Sequence, residues 1–210
     1  RLALRIRYPS WVSSAMTVTI NGKSEPVNAK PGSYASIERE WKNGDTVQVR
    51  WPMSLRLEAM PDDPKMIAIL YGPIVLAGDL GREGLTEAMR YGPNAPQVNR
   101  LPSMAIPVFL GEVKDVLGHV KPAPAAGGPL NFQTAGLGQP QDVRLIPLSK
   151  ASDQRYTVYW KVLSSAEWDE RKAEVAAKEA RRKEIEGRTL DGVNINDEQS
   201  EIGHWFKGEI

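Results

Sequence analysis

Apolar side chains recur at every second position in three early segments of the chain, 2–6, 16–20 and 47–51. A period of two is typical of strands that bury one face and expose the other. Asn21-Gly22 and Asn43-Gly44 lie where these segments must reverse, and both pairs suit a type I′ turn, which needs positive φ at two residues. The pattern therefore predicts short antiparallel strands joined by hairpins, as in a sandwich or barrel.

The longest apolar run, KMIAILYGPIVLAGDL, carries no charge between residues 66 and 78. It is shorter than the roughly 20 apolar residues that a membrane helix needs, and Gly72-Pro73 interrupts it. Its halves, 66–71 and 74–78, have the length and the Ile/Val content of strands that are covered on both faces. We expect two core strands joined or bent at Gly72-Pro73.

The pattern changes after residue 80. Residues 81–164 are rich in proline and glycine and predict connecting loops, with strands in 107–113, 130–132, 143–148 and 155–163. This segment is expected either to complete the sandwich formed by the core strands of 1–80 or to form a small β module. Residues 165–187 predict a charged helix, and 188–210 a linker into a further C-terminal module.

The helix has signals at both ends. Ser164 and Ser165 are suitable N-caps for a helix over 166–186, and Gly187 is a typical terminator. Acidic residues in the first turns and basic residues near the end match the helix dipole. Charge pairs at i,i+4 predict a helix that faces mainly water; they are Glu167 with Arg171, Glu174 with Lys178, and Glu179 with Lys183. The overall prediction is a mainly β fold, an antiparallel β-sandwich with a loop-rich second β segment and one C-terminal α-helix.

Composition excludes several functions. Twenty-seven basic and 26 acidic residues leave a net charge of +1, which provides no general attraction for nucleic acid or an anionic membrane. The absence of cysteine excludes disulfides, thiolate metal sites and a cysteine nucleophile. The chain begins at Arg1 inside the alternating pattern and shows no signal peptide, so we expect it to be part of a longer protein.

Acidic and histidine residues offer only weak chemical candidates. Asp62 and Asp63 lie in MPDDP, which is better explained as a turn than as a catalytic pair, because neighbouring strand residues point to opposite faces. Glu201 and His204 have an i,i+3 spacing and, with nearby Asp191, Asp197 and Glu198, form an incomplete ligand set that is better explained as a polar linker. His119 fits a surface or turn position. No catalytic, cofactor-binding or metal residue is predicted.

Six tryptophans raise the alternative of a platform for stacking sugars. Trp41, Trp51 and Trp160 lie in strand patterns, where core packing or hairpin contacts are the simpler interpretation. Trp11, which follows Pro9-Ser10, is therefore the one candidate residue for carbohydrate binding.

Four blocks carry a family resemblance. LALRIRYPSW, VTING, GSYASIEREWKNGDTVQVRWPMSLR and KMIAILYGPIVLAGDL resemble, in order and spacing, the region after the catalytic barrel in bacterial β-L-arabinofuranosidases of glycoside hydrolase family 127. DVRLIPLSKASDQRYTVYWKVL resembles an uncharacterised module attached behind that region, and RTLDGVNINDEQSEIGH the start of another segment.

The resemblance implies a catalytic helical toroid upstream, followed by β-sandwich modules. Family members use a zinc-held cysteine nucleophile and a glutamate acid/base, none of which corresponds to a residue of this chain. Zinc therefore belongs to the absent catalytic domain, and no cofactor is expected here. The implied function is a non-catalytic structural module of an enzyme acting on arabinofuranosides or related plant-type glycans, with the catalytic domain of the same polypeptide as partner.

Two alternatives remain open, a carbohydrate-binding module and an assembly or dimerisation module. The first predicts two or three exposed aromatic side chains on one sheet face or loop edge. The second predicts an exposed apolar patch. The compartment is undecided, with a periplasmic or secreted parent favoured.

Overall fold

The computed structural model describes residues 1–85, 106–124 and 128–186, which contain fifteen strands and one long α-helix. The strands are β1 (Leu2–Tyr8), β2 (Thr17–Ile20), β3 (Lys23–Glu25), β4 (Ser33–Arg39), β5 (Val47–Arg50), β6 (Leu55–Ala59), β7 (Met66–Tyr71), β8 (Ile74–Asp79), β9 (Val108–Leu110), β10 (Val120–Pro122), β11 (Phe132–Thr134), β12 (Gly138–Gln139), β13 (Arg144–Pro147), β14 (Tyr156–Thr157) and β15 (Tyr159–Leu163). The helix is α1 (Ser165–Glu186), and 3₁₀ turns cover Val113–His119 and Leu148–Lys150. The predicted mainly β class is confirmed.

A small sandwich forms from the first five strands. Antiparallel β1 and β4 make one sheet, and β3, β2 and β5 make the other. The alternation of the sequence places every second side chain between the two sheets. The resulting core consists of Ile6, Tyr8, Met16, Val18, Ile20, Ala35 and Ile37.

The two Asn-Gly pairs behave differently. Asn21 (φ 50°) and Gly22 (φ 78°) both have positive φ between the paired ends of β2 and β3, so the predicted type I′ hairpin is confirmed. Of the second pair only Gly44 has positive φ, and the prediction of a hairpin there is wrong. The reason is that β4 and β5 belong to different sheets, so the turn at Asn43-Gly44 crosses the sandwich.

A larger antiparallel sheet follows in the order β10-β11-β13-β8-β7-β15-β9-β12, with β6 also on β7 and β14 also on β8. Strands β7 and β8 are the two halves of the long apolar run, and both bury successive residues, as predicted for strands covered on both faces. Gly72 (φ 56°) and Pro73 make the connection between the paired Tyr71 and Ile74.

Strands from both predicted segments build this sheet, because β7 and β8 pair with β13, β14 and β15. The predicted strand over 155–163 is broken into two. Tyr156 and Thr157 pair with β8, whereas Tyr159, Trp160 and Lys161 pair with β7.

Trp160 lies at the centre of the core of the larger sheet. It is fully buried and stacks on Phe109 with ring centroids 4.7 Å apart. Gly78 of β8 lies against this ring, and a Cβ at residue 78 would lie 2.2 Å from Trp160 Cη2. A glycine is therefore required at residue 78 for the ring to reach its position. The remaining core side chains are Ile67, Ile69, Leu76, Val116, Val120, Phe132, Leu137, Val143, Leu145 and Val162.

Helix α1 belongs to a second compact unit, which begins at Leu163. Ser164 and Glu167 form a capping box: the Ser164 backbone N–H and hydroxyl both donate to Glu167 Oε2 at 2.8 Å, and the Glu167 N–H donates to Ser164 Oγ at 3.3 Å. Lys178 Nζ lies 3.1 Å from Glu174 Oε1, which confirms that predicted pair. Glu179 and Lys183 side chains, the terminator Gly187 and the predicted linker 188–210 lie outside the described residues. Among the described residues, no helix is long and apolar enough to cross a bilayer.

Candidate interaction surface

The outer face of the β1–β4 sheet is exposed and follows directly from the alternation of the two strands. Leu4, Ile6 and Tyr8 of β1 and Ala35 and Ile37 of β4 pack in the core, so the residues between them point outward. The outward positions pair across the strands as Ala3 with Glu38, Arg5 with Ser36, and Arg7 with Tyr34. Glu38 forms an ion pair with Arg1 at 3.5 Å. The opposite end of the face carries arginine and aromatic groups.

Arg7 and Tyr34 are in contact across the two strands. The guanidinium carbon of Arg7 lies 5.1 Å from the centroid of the Tyr34 ring, and Tyr34 is 56% exposed. A guanidinium carries five N–H donors, so contact with the ring leaves donors available for hydrogen bonds. Cross-strand pairing therefore orders both groups at a solvent-facing position.

Trp51 protects the edge of β1. The Tyr8 carbonyl accepts from Gly32 N–H on the side of β4. Because successive carbonyls of a strand point to opposite edges, the Arg7 carbonyl faces away from β4. Trp51 Nε1 donates to that carbonyl at 3.1 Å, while its ring stays 38% exposed. The indole thus satisfies an edge acceptor that would otherwise attract another strand.

Met53, two residues after Trp51, contacts the larger sheet. It is 36% exposed, and its side chain covers Gly72, where a Cβ would lie 2.7 Å from Met53 Sδ. We call Arg7, Tyr34 and Trp51 the aromatic patch. No periodicity singles these three residues out, because Tyr34 and Trp51 each meet Arg7 only when β1, β4 and the segment after β5 come together.

A half-buried loop carboxylate, Asp142, accepts four hydrogen bonds from neighbouring loop residues. Asp142 Oδ1 accepts from Thr134 Oγ1 at 2.8 Å, Leu137 N–H at 3.0 Å and Gly138 N–H at 2.9 Å. Asp142 Oδ2 accepts from Gly136 N–H at 2.6 Å. Burial would raise the pKa of this carboxyl, but the Gly138, Gly136 and Leu137 amides and the Thr134 hydroxyl lower it to about 2. We name these residues the Asp142 loop clamp.

A cleft of about 360 Å³ lies beside the loop clamp, and its lining residues are Asp79, Leu80, Gly81, Pro107, Pro140, Gln141, Asp142 and Val143. Its second carboxylate, Asp79, accepts from Gly81 N–H at 3.1 Å and lies 3.8 Å from Arg144 Nη1. Both acids of the cleft are therefore bound to the protein itself.

The predicted acidic turn has a structural use. Asp63 Oδ2 lies 2.5 Å from Lys161 Nζ, and Asp63 Oδ1 accepts from Lys65 N–H at 3.1 Å. The hydrogen bond from Lys161 lowers the pKa of Asp63. Asp62 is exposed in the same turn. The interpretation of MPDDP as a turn is thus confirmed.

Asp45 similarly joins two turns, accepting from Lys42 N–H at 2.9 Å and Asn21 Nδ2 at 2.8 Å. The first of these bonds is the main cause of its lowered pKa.

The other predicted residues are scattered. Trp11 is half-buried in the turn after β1, and His119 contacts the Ala135 carbonyl through Nδ1 at 2.9 Å. Trp160 is a core residue, as expected, whereas Trp51 is more exposed than core packing would require. Asp191, Asp197, Glu198, Glu201 and His204 lie outside the described residues. Within the described ranges, no three histidine or acidic side chains are grouped to hold a metal ion.

The fold and this surface define a chain of β-sheet modules followed by a helix. The chain belongs to the family described as Domain of unknown function (DUF4986), which matches residues 56–162, just over half of its length. Residues 1–53 match a second family, described as Beta-L-arabinofuranosidase, GH127 middle domain. The resemblance to the region after the barrel in these enzymes is thereby confirmed.

Three solved structures similar to this chain are those of glycoside hydrolases. One, named only as a glycoside hydrolase, is 18% identical with a TM-score of 0.46, covering 76% of this chain and 27% of its own. A GH127 beta-arabinofuranosidase is 19% identical with a TM-score of 0.46, at 77% and 28% coverage. Ara127N-Se, a GH127 beta-L-arabinofuranosidase from Geobacillus stearothermophilus T6, is 18% identical with a TM-score of 0.44, at 77% and 26% coverage.

The chain thus spans between 26% and 28% of the length of these structures. Comparison with curated proteins gave no match.

Proposed function

We propose that this chain is a non-catalytic, structural accessory module of a glycoside hydrolase that acts on arabinofuranosides or related plant-type glycans. Its partner in this proposal is the catalytic domain of the same polypeptide. The two family matches support the context, since one of them bears the name of a middle domain of a beta-L-arabinofuranosidase.

The use of the carboxylates is the observation that carries the non-catalytic role. Glycoside hydrolysis commonly needs an acid/base carboxyl and a second group that are both open to the substrate. In the described part of the chain, the three carboxyls with lowered pKa are Asp45, Asp63 and Asp142, and all are hydrogen-bonded to other groups of the chain. A carboxyl kept ionised by internal donors is a poor proton donor at neutral pH.

A hydrolysis assay tests this role directly. The purified chain is incubated with aryl α- and β-arabinofuranosides and arabinopyranosides, and we expect release of the aryl alcohol at the rate of buffer alone. Turnover that disappears in Asp79→Asn, a variant of one of the two cleft acids, would refute the proposal. Asp62→Asn is the matched control, because Asp62 is exposed outside the cleft.

A deletion experiment tests the supporting role. In the intact polypeptide, removal of residues 1–162 should lower the Tm and the activity of the catalytic domain, because a domain interface typically hides about 600–1,500 Å². Unchanged Tm and activity after deletion would contradict a structural role.

A further inference from the structure

The aromatic patch combines stacking surfaces with unpaired positive charge. Arg5 and Arg7 point to the same face of β1, about 7 Å apart along the strand, because they are two residues apart. Within the described residues neither has a carboxylate partner within ion-pair distance, whereas Arg1, at the far end of the face, is paired with Glu38. The face therefore presents two arginines without an ion-pair partner among the described residues, with Tyr34 in contact with Arg7 and Trp51 at the adjoining edge of β1.

Two fixed aromatic rings suit a sugar. The C–H faces of sugar rings pack on exposed aromatic rings such as those of Tyr and Trp. Here the Tyr34 ring contacts the Arg7 guanidinium, and the Trp51 indole is hydrogen-bonded to the Arg7 carbonyl. Rings held in place before binding lose little conformational entropy when a ligand arrives.

The charge selects the kind of sugar. Binding of a neutral sugar would not require unpaired arginines. An acidic sugar would use them, because its carboxylate can accept two parallel N–H hydrogen bonds from a guanidinium. The contact with Tyr34 leaves N–H donors of Arg7 for such a bond, and Arg5 supplies a second cation on the same face. We propose that the aromatic patch, together with Arg5, binds an acidic oligosaccharide built of uronic acids. This inference goes beyond the accessory role and stands independently of the partner domain.

Binding is tested with the chain of 210 residues and three probes of equal length: a tetragalacturonate, its methyl ester and a neutral arabinotetraose. The tetragalacturonate should bind with a Kd that calorimetry can measure and that rises as NaCl is raised, because exposed charges are screened. The methyl ester keeps the stacking faces but loses the charge, and it should bind at least about tenfold more weakly. Equal Kd values for acid and ester, or no binding of the acid at millimolar concentration, would overturn the proposal.

Matched variants locate the site. Arg7→Gln and Tyr34→Ala should each weaken tetragalacturonate binding by about tenfold or more. Arg50→Gln, on the outward side of β5, and Tyr156→Ala, an exposed tyrosine of β14, should change it by less than about twofold. Equal losses in all four variants would show non-specific attraction to positive charge and would refute the assignment.

The indole N–H signal of Trp51 provides a readout that survives if a binding variant folds poorly. In a ¹H–¹⁵N spectrum of the unaltered chain, tetragalacturonate should shift this signal, which Trp51→Phe identifies by its disappearance. Shifts confined to other tryptophans would refute the site. Hydrolysis of glycosides by the chain would refute the accessory role but not this binding, so failure of one proposal is distinguishable from failure of the other.

Discussion

Replacing Asp142 by Asn should destabilise the larger sheet in a pH-dependent manner. The variant keeps the shape of the side chain and an oxygen for the three donors that meet Oδ1. It removes the charge, and its NH₂ group would face the Gly136 N–H, which now donates to Oδ2 at 2.6 Å. Two donors in opposition break that hydrogen bond and leave the exposed Gly136 N–H to water.

The magnitude follows from the pKa of Asp142. A decrease from 3.8 to about 2 corresponds to roughly 2 kcal/mol, and because Asp142 is only half-buried, solvent screening reduces this to about 1–2 kcal/mol. The Gly136 N–H is exposed and can bond to water once its bond to Asp142 is lost, so it adds no separate penalty. We therefore expect Asp142→Asn to cost about 1–2 kcal/mol at pH 7, or a decrease in Tm of roughly 2–8 °C.

The pH dependence gives the sharper result. The pKa of Asp142 is lower in the folded chain than in the unfolded chain, so its ionised carboxyl stabilises the fold. This stabilisation is fully present above about pH 4 and is lost as the pH falls toward the folded pKa of about 2. Urea unfolding of the wild type and Asp142→Asn at pH 7, 5, 4 and 3 should show a constant difference down to pH 4. At pH 3, about half of the charge contribution should remain.

Asp62→Asn, in an exposed turn, is the matched control and should change stability by less than about 0.5 kcal/mol. A difference between wild type and Asp142→Asn that stays constant to pH 3, or an Asp142→Asn as stable as the control, would refute the description of the loop clamp.

Two glycine substitutions test the backbone requirements of the fold. Gly78→Ala should cost about 1–3 kcal/mol by overpacking against the buried Trp160 ring, whereas Gly118→Ala, with open space around its Cβ position, should be near neutral; equal Tm values would contradict the packing described. Gly44→Val should cost more than Lys42→Val, by about 1–3 kcal/mol, because a β-branched residue is strained at a φ of 91°. A urea titration that ranks Lys42→Val as the less stable of this pair would show that the turn was misjudged.

Local signals in the sequence predicted the elements well where the chemistry is local. The apolar run forms two buried strands, β7 and β8, because its residues must be covered on both faces. This requirement holds regardless of which other elements cover them. Asn21-Gly22 formed its type I′ hairpin because both residues tolerate positive φ. The capping box at Ser164 and Glu167 formed for the same local reason, since its partners are three residues apart.

Partners that are distant in sequence escaped prediction. Asn43-Gly44 looked like a second hairpin, yet β4 and β5 joined different sheets, and turn residues do not specify the partner of a strand. The break at 155–163 arose because β7 and β8 diverge and accept successive residues of one segment. Aspartate is a common loop residue, so nothing local distinguished Asp142 from the exposed Asp62.

The sequence by itself determined the mainly β class, the positions of most strands, the charged helix and the family resemblance, because each depends on periodicity, turn chemistry or ordered blocks of residues. Only the tertiary structure decided which side chains meet. Cross-strand pairing brings Tyr34, which is 27 residues away in sequence, against Arg7. A hydrogen bond at the strand edge brings Trp51, which is 44 residues away, to the same residue. Such contacts are set by the global packing of sheets, which no local pattern encodes.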